Sequence, residues 1–287
     1  MPSADLAALS GHFSALVASV APRIVAVHGA DGGQISGIVW RTGLVVTAHE
    51  ALAGEDEFRV TLADGSGPAA ELAGRDPSTD VALLRLTTPE FGDWPYAATP
   101  TVGSLATVVG RGEHSPLAGF GLVSEIGPAW RSMRGGEIDA RITLGLRLSS
   151  RFEGGAVIAP DGGLIGLAVT GPRRRALAIP ATTIERAVAV LAEKGYMPRG
   201  YLGVHLHALG KGDGAIVVGI EPEGPAAQAG FVVGDIITTW NGQSVRSVGD
   251  VSNRLSAGTV GETAKLGVLR GGVASEIDVT VGERPRS

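Results

Sequence analysis

Short runs of Val, Ile, Leu and Ala, broken every few residues by glycine- or proline-containing turns, set the tightest limit on what this chain can become. Ile24–His28, Gln34–Trp40 and Gly43–Thr47 follow one another closely. Phe58–Ala63, which ends in the hairpin signal Asp64-Gly65, and Val81–Leu86 complete a first set over residues 21–90. A connector over residues 87–100 leads to a second set: Ala106–Gly110, Gly119–Ser124, Ile138–Leu148, Ala156–Ile158, Leu164–Thr170 and Ala176–Ile179. With 44 glycines and only 5% aromatics, the core is small and aliphatic and the turns are many. Two consecutive groups of about six short strands predict a mainly β chain of two packed antiparallel barrels.

Helical spacing interrupts this pattern in a few places. Leu6, Leu9, Phe13, Leu16 and Val17 predict an amphipathic helix over residues 4–19, with Ser3 as N-cap, inside an N-terminal segment 1–20. Thr182–Glu193 reads as a second helix, with Thr182 and Glu185 as a capping box and Gly195 closing it. Met197-Pro198-Arg199 reads as a linker, which divides a domain at 21–196 from one at 197–287. The last domain carries an Asn241-Gly242 turn and a helix over Val248–Leu255 capped by Ser247.

Composition removes several function classes. The net charge is −5 with no long run of one sign, so nucleic acid is not an expected partner. Arg173-Arg174-Arg175 is the one basic cluster, and it reads as a solvated hairpin tip. The absence of cysteine excludes disulfides, thiol catalysis and Cys-ligated zinc. No apolar run is long enough to span a bilayer. The N-terminus lacks the basic and uninterrupted apolar regions of a signal peptide, so the chain is expected in the cytoplasm if complete and in the periplasm if a leader has been removed. No cofactor is expected.

Three segments carry chemistry when taken together. His49 ends V-V-T-A-H, Asp80 lies in D-P-S-T-D-V-A-L-L-R-L, and Glu153 sits in R-F-E-G-G-A-V. Alone, His49 reads equally as a structural histidine and Asp80 as a turn cap. In this order, with S-G-I-V-W before His49 and G-F-G-L-V-S at Gly119–Ser124, the segments resemble the HtrA-type (DegP-like) trypsin-fold proteases. Y-L-G-V at Tyr201–Val204, G-P-A-A-Q-A-G-F-V-V-G-D-I-I and N-G-Q resemble the PDZ domain that follows such a protease domain. The resemblance covers nearly the whole chain and implies a trypsin-like double β-barrel followed by a PDZ domain.

It also assigns roles. His49 takes the general-base position and Asp80 the orienting position, while Glu153 stands where the nucleophilic serine belongs. Arg151 replaces the glycine whose N–H helps form the oxyanion hole, and Phe152 replaces a small polar residue. The implied protein is a pseudoprotease; the alternative is an active endopeptidase using a non-aligned serine such as Ser149 or Ser150. A metal held by His49, Asp80 and Glu153 is disfavoured, because Asp80 should face the back of the imidazole. Two carboxylates about one imidazole predict a His49 pKa above its ordinary value. Tyr201, Leu202, Gly203 and Val204 would receive a peptide C-terminus by β-addition. The resemblance further implies a homotrimer through Leu9 and Phe13, and an active protease relative as a possible partner.

Overall fold

Residues 3–29, 32–52, 58–132, 134–210 and 214–285 are described by the computed structural model, and the chain divides into two units, Met1–Met197 and Pro198–Ser287. The ends of the expected outer segments, residues 1–2 and 286–287, lie outside the described residues.

In the first unit, β1 (Ile24–His28), β2 (Gln34–Arg41), β3 (Leu44–Ala48), β4 (Phe58–Thr61), β5 (Ala69–Asp76) and β6 (Val81–Leu86) close into a barrel in the order β1-β2-β3-β6-β5-β4. Then follow β7 (Leu105–Arg111), β8 (Pro116–Gly127) and a small hairpin of β9 (Trp130–Arg131) with β10 (Glu137–Ile138). β11 (Arg141–Leu144), β12 (Ala156–Ile158), β13 (Leu164–Gly171) and β14 (Arg175–Pro180) close the second barrel in the order β11-β14-β13-β12-β7-β8.

The side-chain period of two explains why these strands are apolar on both faces. Val25, Val27, Val39, Val45 and Leu84 fill the first barrel, and Val108, Val157 and Ala168 the second. Their neighbours Ile24, Ile38, Val46, Leu83, Ile158 and Leu167 turn outward into one shared core. Two helices seal that core. Helix α1 (Ser3–Val20) contributes Leu16 and Val20, and α2 (Ala181–Lys194) contributes Ile184, Val188 and Leu191. Leu6 and Leu9, nearer the start of α1, are exposed.

Three local expectations fail, the last two where distant partners compete. Ser3 is itself the first residue of α1. The capping box of α2 does not form: the Thr182 hydroxyl donates to the Asp139 carboxylate, and Glu185 accepts from Trp40 Nε1, Tyr96 Oη and Arg41. The helix still ends as expected, on Gly195 with φ of 77°. The single strand read over Ile138–Leu148 is divided, because Asp139 N–H bonds to Thr183 Oγ1 on α2 and pulls the chain out of the sheet.

The second unit contains β15 (Gly200–Tyr201), β16 (Val204–Ala208), β17 (Ala215–Ile220), α3 (Pro225–Gln228), β18 (Ile236–Trp240), β19 (Gln243–Ser244), α4 (Val248–Arg254), β20 (Thr263–Arg270), β21 (Val273–Thr280) and β22 (Gly282–Glu283). Its main sheet runs β16-β17-β18-β20-β21, with β19 on β18, so β16 is an edge strand. Val217, Ile237, Trp240, Leu266 and Val268 pack beneath Val251 of α4. Asn241 and Gly242 take positive φ in the expected turn, and Ser247 caps α4 through the Asp250 amide. Fully buried Asp235 is neutralised by Arg270 at 2.7 Å.

Candidate functional site

His49 leaves the end of β3 half-buried, its amide bonded to the Asp80 carbonyl. Asp80 closes the turn between β5 and β6 with φ of 60°, a left-handed conformation that Asp tolerates better than most residues. That turn is built by Asp76, whose buried carboxylate accepts from the Ser78 amide and from the Ser78 and Thr79 hydroxyls.

Glu153 comes from the second barrel, at the end of the tight 3₁₀ turn Ser150–Phe152. Ser36 on β2 clamps this turn across the barrels. Its hydroxyl donates to the Arg151 carbonyl and accepts the Arg111 amide, and its own amide donates to the Glu153 carbonyl at 2.8 Å. Behind the turn, Gly154 has φ of 78°, and a Cβ there would lie 2.1 Å from the Ser36 carbonyl. A Cβ on Gly155 would meet the Val109 carbonyl at 2.5 Å, so only the Gly-Gly pair fits.

The three residues share a neighbourhood but do not form a relay. Asp80 Oδ1 accepts from the Glu50 amide at 2.7 Å and does not bond the imidazole. His49 Nδ1 is buried without a partner among the described residues. Asp80 therefore does not occupy the orienting role expected of it; the backbone amide captures its carboxylate instead. Glu153 Oε1 accepts from Thr170 Oγ1 on β13 at 2.6 Å, and among the described residues no hydrogen bond joins it to His49.

Electrostatics follow this geometry. Burial, reinforced by the Glu50 and Glu153 carboxylates, pushes the Asp80 carboxyl up to about 7. Burial also lowers the His49 pKa, helped by the Arg75 and Arg134 cations, against Glu50 and Asp76. The expectation of a raised His49 pKa is thus reversed, because burial of the ring, aided by two guanidiniums, outweighs the nearby carboxylates.

The oxyanion hole of a trypsin-type site needs free N–H groups at the nucleophile position and two residues before it. Here the Glu153 N–H donates to the Ser150 carbonyl at 3.0 Å, so one of the two is taken. The Phe152 ring lies over Gly110 and Gly119 of β7 and β8, where an added Cβ would sit 3.2 and 3.5 Å from it. Ser149 and Ser150 are both exposed.

The second unit presents a different site. Between β15 and β16, Leu202 is buried and its carbonyl accepts the Ala226 amide, while Gly203 turns the chain with φ of 73°. The N–H groups of Leu202 and Gly203 donate to no backbone carbonyl among the described residues. They sit at the head of the unpaired edge of β16, beside α4, with Val204, Leu206, Val248 and Leu255 half-buried around the hydrophobic core.

Residues 35–167 match the trypsin-like peptidase domain, and residues 200–281 match the PDZ domain. A probable periplasmic serine endoprotease, DegP-like, from Brucella suis biovar 1 is 30% identical over 287 aligned residues, 86% of this chain and 52% of that protein. The crystal structure of the serine endoprotease from Yersinia pestis superposes with a TM-score of 0.76 at 24% identity, over 95% of this chain and 98% of that one. This is an HtrA-like chain, a trypsin-type domain joined to a PDZ domain. The HtrA-type protease AlgW with a bound tripeptide gives a TM-score of 0.72 at 25% identity, over 95% of this chain and 98% of that one. The HtrA-like chain spans about half the length of the curated relatives it matches.

Sequence reasoning located His49, Asp80 and Glu153 but missed Ser36, Asp76 and Thr170. The D-P-S pattern at Asp76 carries an Asx-turn signal that marks this residue. Nothing local marks Ser36 or Thr170, because their partners lie far along the chain.

Proposed function

We propose that this HtrA-like chain is a pseudoprotease that binds polypeptides without cutting them, its PDZ domain capturing free C-termini. The supporting observation is the state of Glu153: a carboxylate at the nucleophile position, held by Thr170, with its amide committed to Ser150. A carboxylate offers His49 no hydroxyl to activate, and an occupied amide cannot stabilise an oxyanion. Loss of a triad nucleophile alone costs orders of magnitude in rate. The PDZ edge retains what the cleft has lost: an open strand and two uncommitted amides for a carboxylate.

The protein treated with a fluorophosphonate probe should remain unlabelled and should not degrade casein. Glu153→Ser should restore little turnover, since the 3₁₀ turn and the Phe152 ring remain. Labelling at Ser149 or Ser150 with robust cleavage would establish an active endopeptidase using a non-aligned serine. A peptide with a free C-terminus should bind at micromolar strength, about −8 kcal/mol at 1 μM, and its amidated form much more weakly. A homotrimer through α1 is part of this reading: Phe13 stacks edge-on against Phe120 at 4.6 Å, leaving exposed Leu6 and Leu9 for neighbouring copies or an active relative.

A further inference from the structure

The loop between β13 and β14 is short and strained. Gly171 pairs with Arg175, leaving Pro172, Arg173 and Arg174 as the whole connection. Arg173 and Arg174 take φ of 59° and 57°, in the left-handed region that hairpins normally fill with Gly or Asn. Backbone strain of this kind clusters at functional sites, which makes this loop a candidate.

The fold brings a third guanidinium to the same place. Arg147, on the loop after β11, joins Arg174 and Arg175 around an open pocket of about 520 Å³. Glu125 is the one carboxylate in its lining, and it is engaged with Arg175 at 3.4 Å. Among the described residues Arg147 and Arg174 have no carboxylate in ion-pair reach, which leaves a local surplus of positive charge on a chain of net charge −5. Leu146 and Ala176 supply aliphatic wall beside the guanidiniums.

We propose that Arg147, Arg174 and Arg175 form a docking pocket for an acidic polypeptide segment, one carrying adjacent Asp or Glu side chains. Guanidinium forks pair bidentately with carboxylates, and the aliphatic wall suits the methylenes of Glu. The pocket is a single concavity and lacks the extended basic stripe that a nucleic-acid backbone requires. The pocket is independent of whether the triad region cleaves and of the PDZ edge.

The test is fluorescence anisotropy with the full chain and a labelled oligoglutamate whose C-terminus is amidated, which removes the carboxylate that the PDZ edge would take. Binding should be micromolar at low salt and fall as salt rises. Arg147→Ser with Arg174→Ser should weaken it at least tenfold, while Arg246→Ser, an exposed arginine of the second unit, should leave it unchanged. Arg174→Gly suits the backbone, so it should raise Tm and still weaken binding. No binding, or unchanged affinity in either pocket variant, overturns the proposal. Tighter binding of polyphosphate or an oligonucleotide through the same arginines overturns its assignment to an acidic polypeptide.

Discussion

Replacing Asp80 with asparagine isolates the raised carboxyl at the candidate site. Asn tolerates the φ of 60° as well as Asp does, and its Oδ1 can still accept the Glu50 amide. Only the charge is lost. The Asp80 carboxyl lies near 7 in the fold against an ordinary 3.8, so between these values the folded protein holds a proton that the unfolded chain has released. A raised carboxyl pKa therefore makes wild-type stability fall as pH rises through this window. At about 1.4 kcal/mol per unit the ceiling is roughly 4 kcal/mol, and solvent access at this half-buried group reduces it to about 1–2 kcal/mol. Urea denaturation near pH 3, below the unfolded pKa, should show wild type and Asp80→Asn about equally stable. Near pH 8 the variant should be more stable by that margin. A difference independent of pH would show that the Asp80 pKa is unshifted, and a variant less stable near pH 8 would show that the fold favours the ionised carboxylate; either result would refute the reasoning that burial outweighs the Glu50 amide at this group.

Other perturbations follow from the same geometry. The NMR midpoint of His49 should fall below its ordinary 6.5, and Glu153→Gln should leave it nearly unmoved, because Glu153 faces Thr170. A lowered histidine pKa means wild-type stability drops as pH falls through 6.5 toward the folded value, and His49→Gln should remove that drop in acid titrations followed by circular dichroism. Gly154→Ala should destabilise by about 3 kcal/mol or more in chemical denaturation, since its Cβ would sit 2.1 Å from the Ser36 carbonyl at a positive φ. Ser36→Ala should cost about 1–3 kcal/mol by the same assay, because it leaves the buried Arg111 amide without its acceptor.

The strand pattern and the paired barrels were legible because they rest on short-range regularities, and the PDZ domain through the resemblance of its motifs. Side chains alternate across β2, so Ile38 lies in the shared core and Val39 inside the first barrel. Asn241-Gly242 and Ser247 acted locally, as their types require. What the sequence left open is where polar side chains point. Tertiary structure turned Asp80 to the Glu50 amide and Glu153 to Thr170, dissolved the Thr182–Glu185 box in favour of Asp139 and Trp40, and set Arg147 beside Arg174. Each is a contest among hydrogen-bond partners far apart in the chain. Its winner depends on which buried group would otherwise go unpaired, and local sequence does not encode that.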